Sequence, residues 1–89
     1  MTADKIWHLY IIRCADNSLY TGIAIDVDKR FAEHQKQGAN CAKYLRGRSP
    51  LVLAYQESVG SRGEASRREY AIKQLSKREK EALLANFQN

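Results

Sequence analysis

The sequence has little of what staples or interrupts a small fold: two cysteines, one proline, one methionine and one tryptophan in 89 residues. Cys14 and Cys41 stand apart, with no C-x-x-C and no histidine at metal-ligand spacing, which argues against a zinc knuckle and a disulfide-dense scaffold. They read as two reduced, partly buried thiols. No stretch approaches the ~20 apolar residues of a membrane span, and "MTADKI" ahead of Trp7 lacks the apolar run of a signal peptide. The expectation is a cytoplasmic protein that does not enter a membrane. Repeats, low-complexity runs and linkers are missing too, so residues 1–89 should form one domain with a core of modest stability. Acidic excess is also absent. Fifteen Lys plus Arg against ten Asp plus Glu give a formal net charge of +5 and a pI near 9.4, which favours polyanionic partners such as nucleic acid.

What is present is a regular succession of elements. "IWHLYIIRC" and "SLYTGIAI" are rich in aromatic and β-branched residues, and "ADN" between them supplies turn chemistry, so two antiparallel strands are predicted at about 6–13 and 18–24. A third, in "PLVLAYQES", begins after Pro50 and runs to about Ser58. A first helix spans "DVDKRFAEHQKQG", capped by Asp26 and ended by Gly38. "SRGE" at Ser61 to Glu64 and "SKRE" at Ser76 to Glu79 are capping boxes, which start helices at about 62–75 and 77–87. The basic loop "GANCAKYLRGRSP" has room for one helical turn. The predicted order is ββαβαα: an α/β (α+β) class with a three-stranded antiparallel sheet flanked by helices.

Polar residues fall on faces that should be apolar. Val27, Arg30, Phe31 and His34 share one face of the first helix, and Ala65, Glu69, Ile72 and Leu75 form a stripe on the second, with Arg68 at its margin. Tyr10 and Tyr20 sit on strands where Phe would pack as well. A charge near a sheet is costly unless it is paired or coordinates something. Two readings account for this set. In one, Arg30 and Glu69 form an internal salt bridge with the tyrosine hydroxyls as partners. In the other, the groups make a phosphodiester site: Arg offers a planar fork of donors to phosphate, a carboxylate holds Mg²⁺, and Tyr or His orients or deprotonates water.

The pattern resembles the GIY-YIG nuclease domain of excision-repair, homing and restriction endonucleases. "HLY" at 8–10 takes the place of Gly-Ile-Tyr and "YTG" at 20–22 that of Tyr-Ile-Gly. Arg30 stands ten residues after the second motif tyrosine and His34 four further on, as in the family, and "EASRRE" places the family's metal-binding carboxylate on Glu69, with Glu64 its capping neighbour. "LYII-CADNSLYTGI", "AKYLRGRSP" and "SRREYAIKQLS" further resemble a small stand-alone branch, the YhbQ-like or YazA-like proteins. The resemblance runs from about Ile6 to Leu75. It implies Tyr10, Tyr20, Arg30, His34 and Glu69 as catalytic residues, one Mg²⁺ or Mn²⁺ ion on Glu69, and DNA as the substrate. A Tyr phenol, helped in some members by the His, would activate or position water, and Arg would stabilise the added charge. The sequence departs from the family at His8, where Gly is usual, and at Ile23, where some repair nucleases carry Lys; Asn86 is out of register for a late Asn that certain members use.

The implied function is a metal-dependent endonuclease acting on DNA, structure-directed and engaged in repair or processing. A non-catalytic nucleic-acid-binding module on the same fold, and an interaction domain with a purely structural Arg30–Glu69 pair, are the alternatives. Lys43, Arg46 and Arg48 are candidates for phosphate contacts, which make binding salt-dependent, and Tyr44 for base stacking. Trp7 and Tyr55 read as packing residues, and the alternation of a strand puts either Trp7 or His8 in solvent. Leu83, Leu84 and Phe87 should close the core, with the charges of the last helix on a solvated face.

Overall fold

A computed structural model describes residues 5–87, with the side chain of Phe87 outside that description, as are the first four residues of the leading "MTADKI". Strands β1 (Trp7–Arg13), β2 (Leu19–Ala24) and β3 (Val52–Gly60) form one antiparallel sheet in the order β2-β1-β3. Around it lie α1 (Val27–Gln35), a 3₁₀ turn (Lys43–Leu45), α2 (Arg62–Lys73) and α3 (Lys77–Phe87). The order ββαβαα is the one predicted.

β1 is the central strand, and its alternation builds two cores. Tyr10 and Ile12 join Cys14, Val27, Cys41 and Leu45 on one face, and Leu9 and Ile11 join Ala54, Tyr55, Ile72 and Leu84 on the other. α1 and the 3₁₀ turn thus cover the first face, while α2 and α3 cover the second. Both cysteines are buried free thiols of the first core. Leu83 packs against the second core beside buried Leu84.

Local chemistry explains the boundaries. Asn17, at φ 72°, turns β1 into β2 while Asp16 accepts from the Ser18 amide and hydroxyl. Asp26 accepts from the Lys29 amide to cap α1, and both predicted capping boxes are closed, Ser61 with Glu64 and Ser76 with Glu79. The end of α1 differs from expectation. The left-handed residue there is Gln37 at φ 57°, not Gly38. Its side-chain amide donates to the carbonyls of His34 and Leu45 and accepts from the Gly47 amide, so hydrogen bonds to the following loop hold a conformation that its Cβ disfavours.

A register shift between Trp7 and His8 against β3 breaks the expected alternation, and both residues end half-buried. Trp7 takes the Arg62 guanidinium 5.5 Å from its ring centroid. Tyr55 packs in the second core and also donates its hydroxyl to Glu57, which is gripped by Arg68 at 2.6 and 3.1 Å.

Candidate active site

The site begins with a missing side chain. Tyr10 on β1 lies directly across from Gly22 on β2, and a Cβ built on Gly22 would stand 2.6 Å from the Tyr10 hydroxyl oxygen and 2.7 Å from Cζ. Only glycine lets the buried ring cross β2 at this point. The hydroxyl then reaches His34 of α1, whose Nε2 is 3.0 Å away.

His34 is fully buried, and its other ring nitrogen decides its protonation. The Ala42 backbone amide, which can only donate, points at Nδ1 at 3.3 Å, so Nδ1 carries the lone pair. Burial first, and then the Arg30 charge, hold the His34 pKa below its ordinary 6.5, with Glu33 opposing. The ring is therefore neutral at pH 7, its proton is on Nε2, and Nε2–H donates to Tyr10. Tyr10 accepts this bond and keeps its own proton for another partner. Burial, and next the neighbouring Tyr20, push the Tyr10 pKa far above its ordinary value, with Arg30 acting in the opposite direction.

Arg30 stands beside the Tyr10 hydroxyl. It does not pair with Glu69. Its Nη1 meets Glu33 at 3.0 Å and the Asn40 carbonyl at 2.7 Å, because Glu33 is one turn away on α1 whereas α2 packs on the opposite face of the sheet. Glu69 is paired with Lys73 at 3.3 Å instead. The internal Arg30–Glu69 salt bridge weighed from sequence is thus absent. Glu69 still acts on Tyr10, since its charge helps to raise that pKa.

Tyr20 completes the group, with its ring centroid 6.4 Å from Tyr10 and 5.7 Å, edge-on, from His34. It also stacks on Tyr44 at 5.9 Å, extending the aromatic row into the loop. Arg48 lies 4.4 Å over the Tyr44 ring, donates to the Tyr44 carbonyl at 2.6 Å and meets Asp16 at 2.5 Å. Arg46 makes long bonds to the carbonyls of Gly38 and Ala39, both at 3.4 Å, and Lys43 is exposed. The structure therefore brings Tyr10, Tyr20, Arg30 and His34 together with Tyr44 adjoining, and holds Arg48 in contacts of its own.

The motif that places Tyr10 over Gly22 decides the classification, and residues 6–82 match the family described as the GIY-YIG catalytic domain. The chain belongs to the GIY-YIG family. Among similar proteins are a UPF0213 protein of Cronobacter sakazakii, 57% identical over 79 residues that cover 89% of this chain and 81% of that one, and UPF0213 protein YhbQ of Escherichia coli, 53% identical over 89% of this chain and 77% of the relative. Two solution NMR structures share the fold. The UPF0213 protein BH0048 of Bacillus halodurans is 42% identical over 90% of this chain and 83% of its own, with a TM-score of 0.57. EF2693 of E. faecalis is 28% identical over 100% and 94%, with a TM-score of 0.61. GIY-YIG membership implies an endonuclease-type function, a nucleic-acid substrate and the general use of divalent metal ions in the family. No helix among the described residues is long and apolar enough to cross a membrane.

The GIY-YIG metal requirement can be set against the donors present. Among the described residues no three His, Cys, Asp or Glu side chains cluster as a cation cage. Of the half-buried carboxylates, Glu33 is taken up by Arg30 and Glu57 by Arg68, while Glu69 is bound only by a helix-surface pair to Lys73. Mg²⁺ is commonly held by one or two carboxylates with waters and substrate oxygens completing its octahedron, so the donor set fits a hard ion recruited with substrate.

Some functional contacts escaped the sequence reading. Lys73 follows Glu69 at i+4 and Glu33 follows Arg30 at i+3, spacings that signal helix-surface pairs. The Ala42 amide on His34 had no sequence signal. It leads to a stability prediction. The folded state keeps His34 neutral below the pH at which the unfolded chain protonates it, so the unfolded state binds more protons and stability falls as the pH is lowered. The His34 contribution should be complete above about pH 6.5 and lost as pH drops through the lower folded value. Denaturant titration of wild type and His34→Gln should show a stability difference that shrinks from pH 7.5 to pH 5; a constant difference would contradict the Nδ1 arrangement.

Proposed function

We propose that this protein is a divalent-metal-dependent endonuclease that hydrolyses phosphodiester bonds of DNA, directed by DNA structure and serving repair or processing. The observation that carries the reading is the Tyr10 hydroxyl, buried, hydrogen-bonded to His34, and acted on by the charges of Arg30 and Glu69. Burial of such a hydroxyl is offset only if its proton meets a partner.

Each group then has a task set by its surroundings. Tyr10, still protonated at neutral pH, donates to a phosphate oxygen or orients the attacking water, and Tyr20 presents a second phenol beside it. His34, with its proton on Nε2, holds Tyr10 in place; in this tautomer it has no free lone pair toward Tyr10 with which to take a proton. Arg30 places its guanidinium where negative charge grows on the phosphate. Glu69 would hold the ion, which when bound supplies Lewis-acid stabilisation of the phosphate and leaving oxygens. Lys43, Arg46 and Arg48 are proposed to contact the backbone of the bound nucleic acid.

One observation favours a second reading, a binding module without turnover: Lys73 already neutralises Glu69. A panel of single-stranded, duplex and branched DNA and RNA, incubated with Mg²⁺, Mn²⁺ or EDTA, separates the two. Cleavage with either metal and none in EDTA is the expected result. Binding that weakens with salt, without cleavage on any substrate, would overturn the nuclease reading in favour of the module.

A further inference from the structure

Beside the catalytic group the surface is hollowed. Leu19, Tyr20 and Thr21 of β2 meet Tyr44 of the 3₁₀ turn, Lys73 of α2 and Lys80 of α3 around a depression of about 330 Å³, within the range of small-ligand pockets. Its walls are aromatic and cationic, and no carboxylate lines it. A second depression, of about 460 Å³ on the Arg30 side, is lined by Asp26 and Glu33 as well as by lysines, which suits an anion less well. Tyr44, 42% exposed, is held rigid by stacking on Tyr20 and by Arg48 on its ring. Lys80 has no ion-pair partner among the described residues.

We propose that this depression receives one unpaired nucleotide of the strand being cut, next to the scissile phosphate. The inference rests on the nuclease reading and adds where the strand lies. Tyr20 is shared by the depression and the catalytic group, so a nucleotide seated there adjoins the reacting phosphate. The rings recognise it by contact with the base and Lys80 by charge on the phosphate, Lys73 being tied to Glu69. A base inside a duplex shows only its edges in the grooves, its faces being covered by stacked neighbours. To meet the tyrosine wall it must leave the stack, which selects single strands, flaps and other unpaired ends.

The test reads binding by fluorescence anisotropy in EDTA, using short labelled single strands of DNA and RNA and the matching DNA duplex. Lys80→Glu should weaken binding of at least one single strand about tenfold and lower its salt dependence. Lys36→Glu makes the same charge change at the C-cap of α1, outside the lining of the depression, and should cost less than about twofold. Tyr44→Leu, which keeps an apolar side chain and the lysine charges, should also weaken single-strand binding. Equal losses for the two lysine variants, or tighter binding of the duplex than of either single strand, would overturn the subsite. Cleavage with Mg²⁺ on the same samples keeps the two readings apart. Binding that depends on Lys80 without cleavage by wild type removes the nuclease and leaves a strand-binding site; cleavage with equal lysine effects removes the subsite alone.

Discussion

Glu69→Gln should abolish cleavage, with a loss of at least about 10²–10³-fold, while the protein stays folded and still binds nucleic acid. Glutamine keeps the shape of the side chain and removes the charge that a hard cation needs. Stability should hardly change, because the one ion pair recorded for Glu69 is a helix-surface bridge to Lys73 at 3.3 Å, with the lysine half-exposed. Such i,i+4 pairs contribute about 0.3–0.5 kcal/mol. The internal bridge to Arg30 weighed from sequence would behave differently: removing one partner of a buried pair costs about 3–5 kcal/mol. Cleavage kinetics and a denaturant titration on the same variant thus separate a catalytic from a structural Glu69. Unchanged cleavage would remove it from the mechanism.

Gly22→Ala should damage the site through a different route. The new methyl would fall 2.6 Å from the Tyr10 hydroxyl oxygen and 2.7 Å from Cζ, closer than Cβ contacts in folded proteins. The ring has nowhere to retreat, since Tyr10 is 1% exposed and packed among Ile12, Val27 and Leu45. Overpacking of this kind costs about 1–3 kcal/mol, and shifting a reacting group by about 1 Å can cost about 10²-fold in rate. The hydrogen bond to His34, now 3.0 Å, should break. Because the damage passes through the Tyr10 hydroxyl, adding Tyr10→Phe should cost little further activity, and a double-mutant cycle measures that coupling. Gly38→Ala is the control, since nothing lies within 4 Å of a Cβ there. Additive losses for Gly22→Ala and Tyr10→Phe would show that the glycine does not act through the tyrosine.

Much of this molecule is legible in the order of its residues because the deciding interactions are local. The two Ser-x-x-Glu boxes close within three residues, the Asp26 cap within three, and the β1–β2 turn within a few more. The shared helical face of Val27, Arg30, Phe31 and His34 follows from the 3.6-residue period alone, and it places the arginine and the histidine toward the tyrosines. Gln37 was missed for the opposite reason. Its left-handed backbone is held by partners at Leu45 and Gly47, and Gly38 was the stronger local signal for a helix end.

By itself the sequence determined the ββαβαα order, the central apolar strand, the basic surplus and the paired-tyrosine motif, since period, capping and composition act over a turn or a strand. Tertiary structure alone decided which charges meet. Folding α1 and α2 onto opposite faces of the sheet separates Arg30 from Glu69 and gives each a partner on its own helix. The Ala42 amide brought onto Nδ1 decides which nitrogen of His34 holds its proton. Lys80 lines the same depression as Tyr20 and Tyr44 only because α3 packs back onto the sheet. Hydrogen bonds and charges act over a few ångströms, and residues far apart in the chain come that close only when the core has formed.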